Sequence, residues 1–353
     1  MYVHKIVYAR IIFRTVSFFA VSNIHRYTIY YIITMLKIIS RVSACVLLVA
    51  MLFKVLVEYR LQREYCASTP KEDLLTSYDF LIVGGGTAGA ALAADLSDSE
   101  HSVLLLEAGP CTNTGLSTQT LPGLCSLIGS SVDWSYSKEP QKNGGVVFNN
   151  RSIPIPRGRV LGGSNELNFM LHVRGTPKDY DMWAEMVEDD SWNSTEMAKM
   201  EDIYEDHIHV TRKRLHPMAK LFLEASRKTP YGVLENYNDR TTEREGSFVY
   251  QHGTNAGVRQ STARNMLLPR MNRANGGIYR ANLHLLTSCV VKQVVLEKDE
   301  GDGEWIAKGV RVVLDGVETT IYAKKEVVLS AGAYGTPHLL QRTFFFGLSL
   351  SIS

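Results

Sequence analysis

The chain has 353 residues, 45% of them hydrophobic and 21% charged, a balance that suits a folded protein of one or two domains and excludes an intrinsically disordered one. Its formal net charge of +2 is unevenly spread: Lys5, Arg10, Arg14, Arg26, Lys37, Arg41, Lys54 and Arg60 face only Glu58 in the first 60 residues. The remainder is mildly acidic, which argues against a nucleic-acid partner.

Taken in chain order, the first feature is Val42 to Val57, "VSACVLLVAMLFKVLV", an apolar run behind Lys37 and Arg41 and broken only by Lys54. A basic flank before an apolar run reads as a signal sequence or signal anchor. Its sixteen residues fall short of the roughly 20 that a spanning helix needs. A cleaved signal or marginal anchor is therefore expected, with the protein secreted or held at a membrane through residues 42–57. With Met35 as the start, "MLKIISR" becomes a compact positive leader. Residues 1–65 are set apart as an N-terminal basic and apolar segment.

Cys45, Cys66, Cys111, Cys125 and Cys289 contain no CxxC pair, so zinc and thioredoxin chemistry have no support and no metal site is expected. Cys45 lies in the apolar run, and the other four can pair if the chain is exported. Cys111 and Cys125 are near enough in sequence to bridge, but the connectivity is open. Asn150-Arg151-Ser152 and Asn193-Ser194-Thr195 are sequons, consistent with export.

From Ser77 the chain predicts a βαβ unit: a strand over Tyr78–Val83, a glycine loop, a helix from Thr87 to about Leu96, and a strand over Ser102–Leu106 ending at Glu107. Both strands are continuous apolar runs, as expected where helices cover both faces of a parallel sheet. Residues 109–156 are rich in glycine, serine, asparagine and proline and predict long loops. Residues 177–226 read as helical, with Trp183, Met186, Met197, Met200 and Ile203 at a spacing that predicts core. Strands follow in Leu285–Leu296 and Trp305–Ala323, with Asp315-Gly316 as a hairpin signal, and a last strand over Glu326–Leu329.

Gly84, Gly86 and Gly89 fit G-x-G-x-x-G with a strand before, a helix after and the acid Glu107 about 20 residues on. The first glycine allows the tight turn, the second lets backbone approach a pyrophosphate, and the third lets helix pack on strand. The helix start then presents unpaired N–H groups to phosphate, and Glu107 can accept from a ribose diol. The pattern points to dinucleotide binding without separating NAD from FAD.

The segment Arg157 to Met170, "RGRVLGGSNELNFM", resembles the first signature of the glucose-methanol-choline (GMC) oxidoreductases. "DWSYSKEPQ" (Asp133–Gln141), "HVRGTPKDYDMWAEM" (His172–Met186), "STARNMLLPR" (Ser261–Arg270) and "SAGAYGTPHLLQ" (Ser330–Gln341) resemble further family landmarks in the family's order. The wording is most similar to the insect glucose-dehydrogenase-like branch. The resemblance implies an α/β fold: a Rossmann-like FAD-binding domain, with a parallel sheet plus a β-meander, from 77–175 and 255–341. A partial α+β substrate domain would occupy 176–254. It implies FAD held at the pyrophosphate by Gly84, Gly86, Thr87, Ala88 and Gly89, and at the adenosine ribose by Glu107 and Ala108. Arg159, Gly162, Gly163 and Ser164 would pass beside the cofactor, and Asn168, Phe169, Met170 and Leu171 would lie near the flavin ring. Val291 would lie against the adenine, and Ala331 with Gly332 would close on the pyrophosphate.

The implied reaction is oxidation of the CH–OH group of a small alcohol or sugar by hydride transfer to the flavin N5, with an electron acceptor that the sequence does not identify. Asn165 and His172 depart from the residues usual in the family; a lone loop histidine is read as solvated or hydrogen-bonded rather than as a base. His207 and His209 would point apart on a helix, so no metal pair is expected. After Gln341 the chain reads "RTFFFGLSLSIS", so residues 342–353 are set apart as an aberrant tail. The family's catalytic histidine is expected beyond the chain, leaving no catalytic residue here. The expectation is an N-terminal portion of a GMC dehydrogenase or oxidase, inactive by itself. The alternatives are a non-catalytic FAD-binding remnant and, less favoured, an NAD-linked reductase.

Overall fold

The computed structural model describes residues 34–53, 68–111, 126–148, 151–212, 214–240, 244–255, 257–271, 279–299, 301 and 303–348. The chain divides into two compact units, Met1–Leu61 and Gln62–Ser353.

In the first unit, helix α1 (Thr34–Phe53) has 20 residues, mean hydropathy 2.1 and no buried side chain. The helix therefore starts before Val42, and its length meets the roughly 20 residues of a span, unlike the shorter run expected from the sequence. Residues 54–57 of that run lie outside the described residues.

The second unit is built on a sheet of six strands, β1 (Ser77–Val83), β2 (Val103–Leu106), β3 (Leu283–Leu286), β4 (Val291–Lys298), β5 (Trp305–Leu314) and β6 (Val317–Leu329), in the order β3-β2-β1-β6-β5-β4. The first four are mutually parallel, and β4, β5 and β6 form an antiparallel meander. The expected combination of parallel sheet and meander is thus present.

The central strands are buried on both faces because two apolar layers sandwich them. Ile82, Val103, Leu105 and Leu285 pack beneath α2 (Thr87–Ser97) with Ala90 and Ala93, while Leu81, Val83, Leu104, Leu106 and Val310 form the opposite layer with Leu339. Small residues on α2 let it lie close to the sheet. At its C-terminal end Asn282 Nδ2 lies 3.1 Å from the Ser97 carbonyl, orphaned by the helix end, and 2.8 and 2.7 Å from the carbonyls of Ser99 and His101 in the turn that follows. Asp98 sits where the helix dipole disfavours an acid, yet Arg270 and Arg280 both bond to it and hold its carboxyl below the usual range.

The Asp315-Gly316 turn has φ of 51° and 80°, the left-handed pair that a two-residue hairpin needs. The expected separate strand over Glu326–Leu329 is instead the far half of β6: up to Tyr322 the strand pairs with β5, and from Tyr322 onward it pairs with β1. Residues 342–348 continue the last helix, α6 (Gly332–Leu348), and Thr343 is buried with its hydroxyl bonded to Val294 N and Leu339 O. That part of the presumed tail is packed against β4; the rest lies outside the described residues.

In sequence between β2 and β3 come α3 (Pro177–Val187), α4 (Ser194–Glu205) and α5 (Pro217–Ser226). Thr176 and Asp179 form a capping box on α3, with Pro177 in its first turn. The expected core stripe is corrected here: Trp183, Met186, Met200 and Ile203 are 44 to 72% exposed. Only Ala184 of α3 is buried and no residue of α4 is, so the two helices cover little of each other's apolar surface. Cys111 is disulfide-bonded, Cys45 and Cys289 are free, and Cys66 and Cys125 lie outside the described residues.

Leu105 is fully buried between strands and α2. Leu105→Ala should lower unfolding free energy by about 2–5 kcal/mol, read by chemical denaturation. A loss below about 1 kcal/mol would place that strand outside the core.

Candidate functional site

The carboxyl ends of β1, β2 and β6 meet at one edge of the sheet, and every turn leaving them is forced into close backbone contact. Gly84 has φ of 104°, and a Cβ there would meet Ser330 O at 2.5 Å and Ala331 Cα at 2.7 Å. A Cβ on Gly89 would meet Gly84 O at 2.0 Å. These two positions exclude any side chain because strand, helix start and the β6 exit touch through main chain alone. Ser330 reinforces the join by donating from Oγ to Gly84 O at 2.8 Å.

Gly86 differs. It caps α2 without any side-chain bond to the helix, and outside its own helix a Cβ there would come within 4 Å only of Gly163 Cα, at 3.9 Å, among the described residues. Thr87 and Ala88 are exposed beside it. The helix start therefore faces open space lined by main chain, where orphan N–H groups and the helix dipole favour an anion. Leu161 to Gly163 crosses this opening: Gly162 N bonds to Gly85 O at 2.7 Å, and Gly162 and Gly163 take φ of 97° and 60°.

Glu107 follows β2 and is 5% exposed. Its Oε2 accepts from Gly85 N and its Oε1 from Gly109 N, each at 2.8 Å. Burial outweighs these bonds and the nearby Arg159 charge, lifting its pKa from about 4.5 to about 7. Both oxygens already hold the turns flanking β1 and β2, so Glu107 shapes the loop as well as bordering it. Ala108 is half-buried beside it. The Arg159 guanidinium lies 5.2 Å from the Trp134 ring centroid, and its buried Nε has no hydrogen-bond partner among the described residues.

Further along, Ser164 Oγ accepts from Gly158 N, and Asn168 is held at both ends, its Oδ1 accepting from Met170 N and Arg259 Nη1 and its Nδ2 donating to Asn165 Oδ1. Phe169 and Leu171 are exposed, whereas Met170 is buried with an uncommon φ of 61°. Ala331 N donates to Thr336 Oγ1, and Gly332, with φ of 84°, faces open space at the start of α6. Val291 opens β4 and packs with the sheet layer that contains Leu106 and Val294; it is two residues past Cys289, whose N bonds to Glu107 O. The structure thus gathers the glycine loop, Glu107, the 162–163 turn and Ala331 at one edge, and leaves Val291 at the start of β4, the outermost strand on the meander side.

Two groups escaped the sequence reading. Glu166 and Arg259, 5% and 2% exposed, are buried and near enough for each charge to act on the other, and Arg259 Nη1 bonds to Asn165 O at 2.6 Å. Thr262 Oγ1 donates to Thr87 O at 2.7 Å, fixing the first turn of α2. Both partners fall in or beside the "STARN" segment; their spacing from the glycine loop gave no local signal. His172 lies in a two-residue strand paired with Gln251 rather than in a loop, and its Nε2 is hydrogen-bonded to Glu205 Oε1 at 3.0 Å, as expected of a bonded rather than a catalytic histidine. No cluster of three potential metal ligands occurs among the described residues.

Comparison with known proteins gives the same frame. The family model described as GMC oxidoreductase matches residues 78–345. An oxygen-dependent choline dehydrogenase of Photobacterium profundum is 32% identical, the alignment covering 75% of this chain and 46% of that protein. An ecdysone oxidase of Bombyx mori is 31% identical over 77% of this chain and 42% of its own. The crystal structure of pyridoxine 4-oxidase from Mesorbium loti superposes with a TM-score of 0.64 at 29% identity, covering 75% of this chain and 51% of that one. The chain spans about half the length of the relatives it matches. FAD is the cofactor, and the helix start at Gly86, uncapped by any side chain and with Thr87 and Ala88 exposed, suits its diphosphate.

Gly89→Ala is expected to lose most flavin from the purified protein, measured by the absorbance ratio of flavin to protein, because no rotamer can relieve a Cβ against a carbonyl. Glu107 gives a pH signature in the cofactor-free protein. Its pKa is raised on folding, so its stabilising contribution is full below about 4.5, falls as pH rises toward about 7, and is flat above. Denaturation across that range should show this slope in wild type and lack it in Glu107→Gln.

Proposed function

The chain belongs to the GMC oxidoreductase family, and from that premise we propose that it is the flavin-binding portion of an enzyme that oxidises a CH–OH group of a small alcohol or sugar. The observation that carries this reading is the N-terminus of α2, which no side chain caps, with Thr87 and Ala88 exposed beside Gly86 and the Gly163 backbone packed close against it. FAD, when bound, supplies the acceptor for the hydride that leaves the carbinol carbon. The chain's own residues hold and orient. Gly84, whose own N–H bonds to Leu106 O, makes the turn, and the amides around Gly86, Thr87, Ala88 and Gly89 grip the diphosphate; Glu107 and Ala108 border the adenosine ribose; Arg159, Gly162, Gly163 and Ser164 line the passage; Val291 lies against the adenine; and Ala331 and Gly332 close on the diphosphate. Asn168, fixed by Arg259 and Asn165, offers a polar group beside the exposed Phe169 and Leu171, the face toward the flavin ring and substrate.

In this reading residues 77–175 and 255–341 make the FAD-binding domain and 176–254 part of the substrate domain. Choline, ecdysone and pyridoxine, for which the relatives are named, are all alcohols, which supports an alcohol here. The insect relative is consistent with the insect glucose-dehydrogenase-like branch. The proton-accepting histidine belongs, by the resemblance, to the half of the family fold outside the matched residues. Helix α1, with its basic flank, supports export through a signal or an anchor.

The purified protein should carry flavin absorbance, and that flavin should be bleached when choline, glucose or a simple alcohol is added as the donor. Gly163→Val, which would set a Cβ 2.8 Å from Gly86 Cα at a left-handed φ, should cut flavin occupancy at least about tenfold, or about 1.4 kcal/mol. A colourless wild-type protein after soaking in FAD would sink the proposal.

A further inference from the structure

We propose that Asn193 is an N-glycosylation site, carrying an oligosaccharide on its side-chain nitrogen. The inference rests on the export reading above and adds to it a modified atom. The sequence there is Asn193-Ser194-Thr195, an acceptor triplet with no proline in the middle. The other triplet, Asn150-Arg151-Ser152, has its asparagine outside the described residues.

Two features of the chain fit an oxidising, secretory environment: the 20-residue apolar helix α1 near the N-terminus and the disulfide at Cys111. The geometry at Asn193 supplies the rest. Its Oδ1 accepts from Thr195 N and Glu196 N, both at 3.0 Å, in an Asx-turn that starts α4. That commits the oxygen and leaves the nitrogen: Nδ2 makes no hydrogen bond among the described residues and is not buried. The side chain also borders a shallow open cleft of about 490 Å³ shared with Asp181, Ala184, Glu185, Glu188 and Asp190, so space for a sugar ring lies beside it.

Helix capping alone accounts for asparagine at 193 but not for threonine at 195. The cap uses only the backbone N–H of residue 195, and the Thr195 hydroxyl is exposed with no hydrogen bond among the described residues. A β-branched residue there lowers helix propensity slightly, so a helix start by itself does not select it.

In the transfer, a bond forms between Nδ2 and the anomeric carbon of the first sugar. The bond from that carbon to the diphosphate of a lipid-linked oligosaccharide donor breaks, the diphosphate leaves with the electron pair, and the amide gives up one proton. Oδ1 remains an acceptor afterwards, so the modified residue still caps α4. The attached sugar would hydrate a surface on which Trp192 is 47% exposed.

The test is expression of the full chain, with Asn150→Gln to isolate the site, in a eukaryotic secretory host. The peptide containing Asn193 is then analysed by mass spectrometry before and after peptide N-glycosidase. The proposal expects a glycan on Asn193, its removal with conversion of the asparagine to aspartate, and complete loss of the gel shift in Thr195→Ala. That variant keeps the Asn193 cap and should melt as the enzymatically deglycosylated protein does. Export with an unmodified Asn193 overturns this inference and leaves the export reading intact. Retention in the cytosol with Cys111 reduced overturns both.

Discussion

The structure depends on a contact that no side chain could make: the end of β1, the start of α2 and the exit of β6 touch backbone to backbone at Gly84, Gly89 and Ser330. Because three elements share this point, their axes are fixed relative to one another, and the first turn of α2 is aimed at a constant place. The uncapped N–H groups there would be an unmet demand in a finished fold. In the proposed reading a bound diphosphate would satisfy them and supply the negative charge that the helix dipole favours. What looks like excess flexibility in the glycine run is, once packed, the reverse, a rigid seat.

The charges around that seat are arranged by burial more than by pairing. Glu107 is held by two backbone N–H groups and yet titrates near neutrality, because desolvation of a carboxylate in this position exceeds what two hydrogen bonds return. A second buried acid, Glu166, is likewise pushed upward by burial, offset by Ser261 and the Arg259 charge. Arg259 Nη1 donates to Asn165 O and Asn168 Oδ1. Here the fixed object is the 163–168 turn, with Asn168 at its end. The same chain that leaves Gly86 open thus uses its polar core to hold the opposite wall.

The part of this that could be read from sequence is the part written locally. The strand, glycine turn and helix from Ser77 to Ser97 follow from period, composition and the demands of φ at Gly84, and Asp315-Gly316 announced its hairpin for the same reason. The methionine and tryptophan spacing of α3 and α4 misled, because a helical period shows that a face is apolar and not what covers it. The continuity of β6 was hidden because the strand changes partner at Tyr322, a fact of the sheet and not of the residues. Arg259 reaches Asn165 across 94 positions, and such distant side-chain pairs leave no periodic trace. The family landmarks located these segments without saying which of their atoms meet.

The claim on which everything rests is that main-chain amides of the glycine loop grip the cofactor's diphosphate. Hydrogen–deuterium exchange on the full chain, with and without FAD, reads those amides directly. The account predicts strong protection by FAD in peptides covering residues 84–90 and 161–165, with exchange in α4 unchanged. FAD that binds, by its absorbance, yet leaves residues 84–90 exchanging at the cofactor-free rate would contradict it.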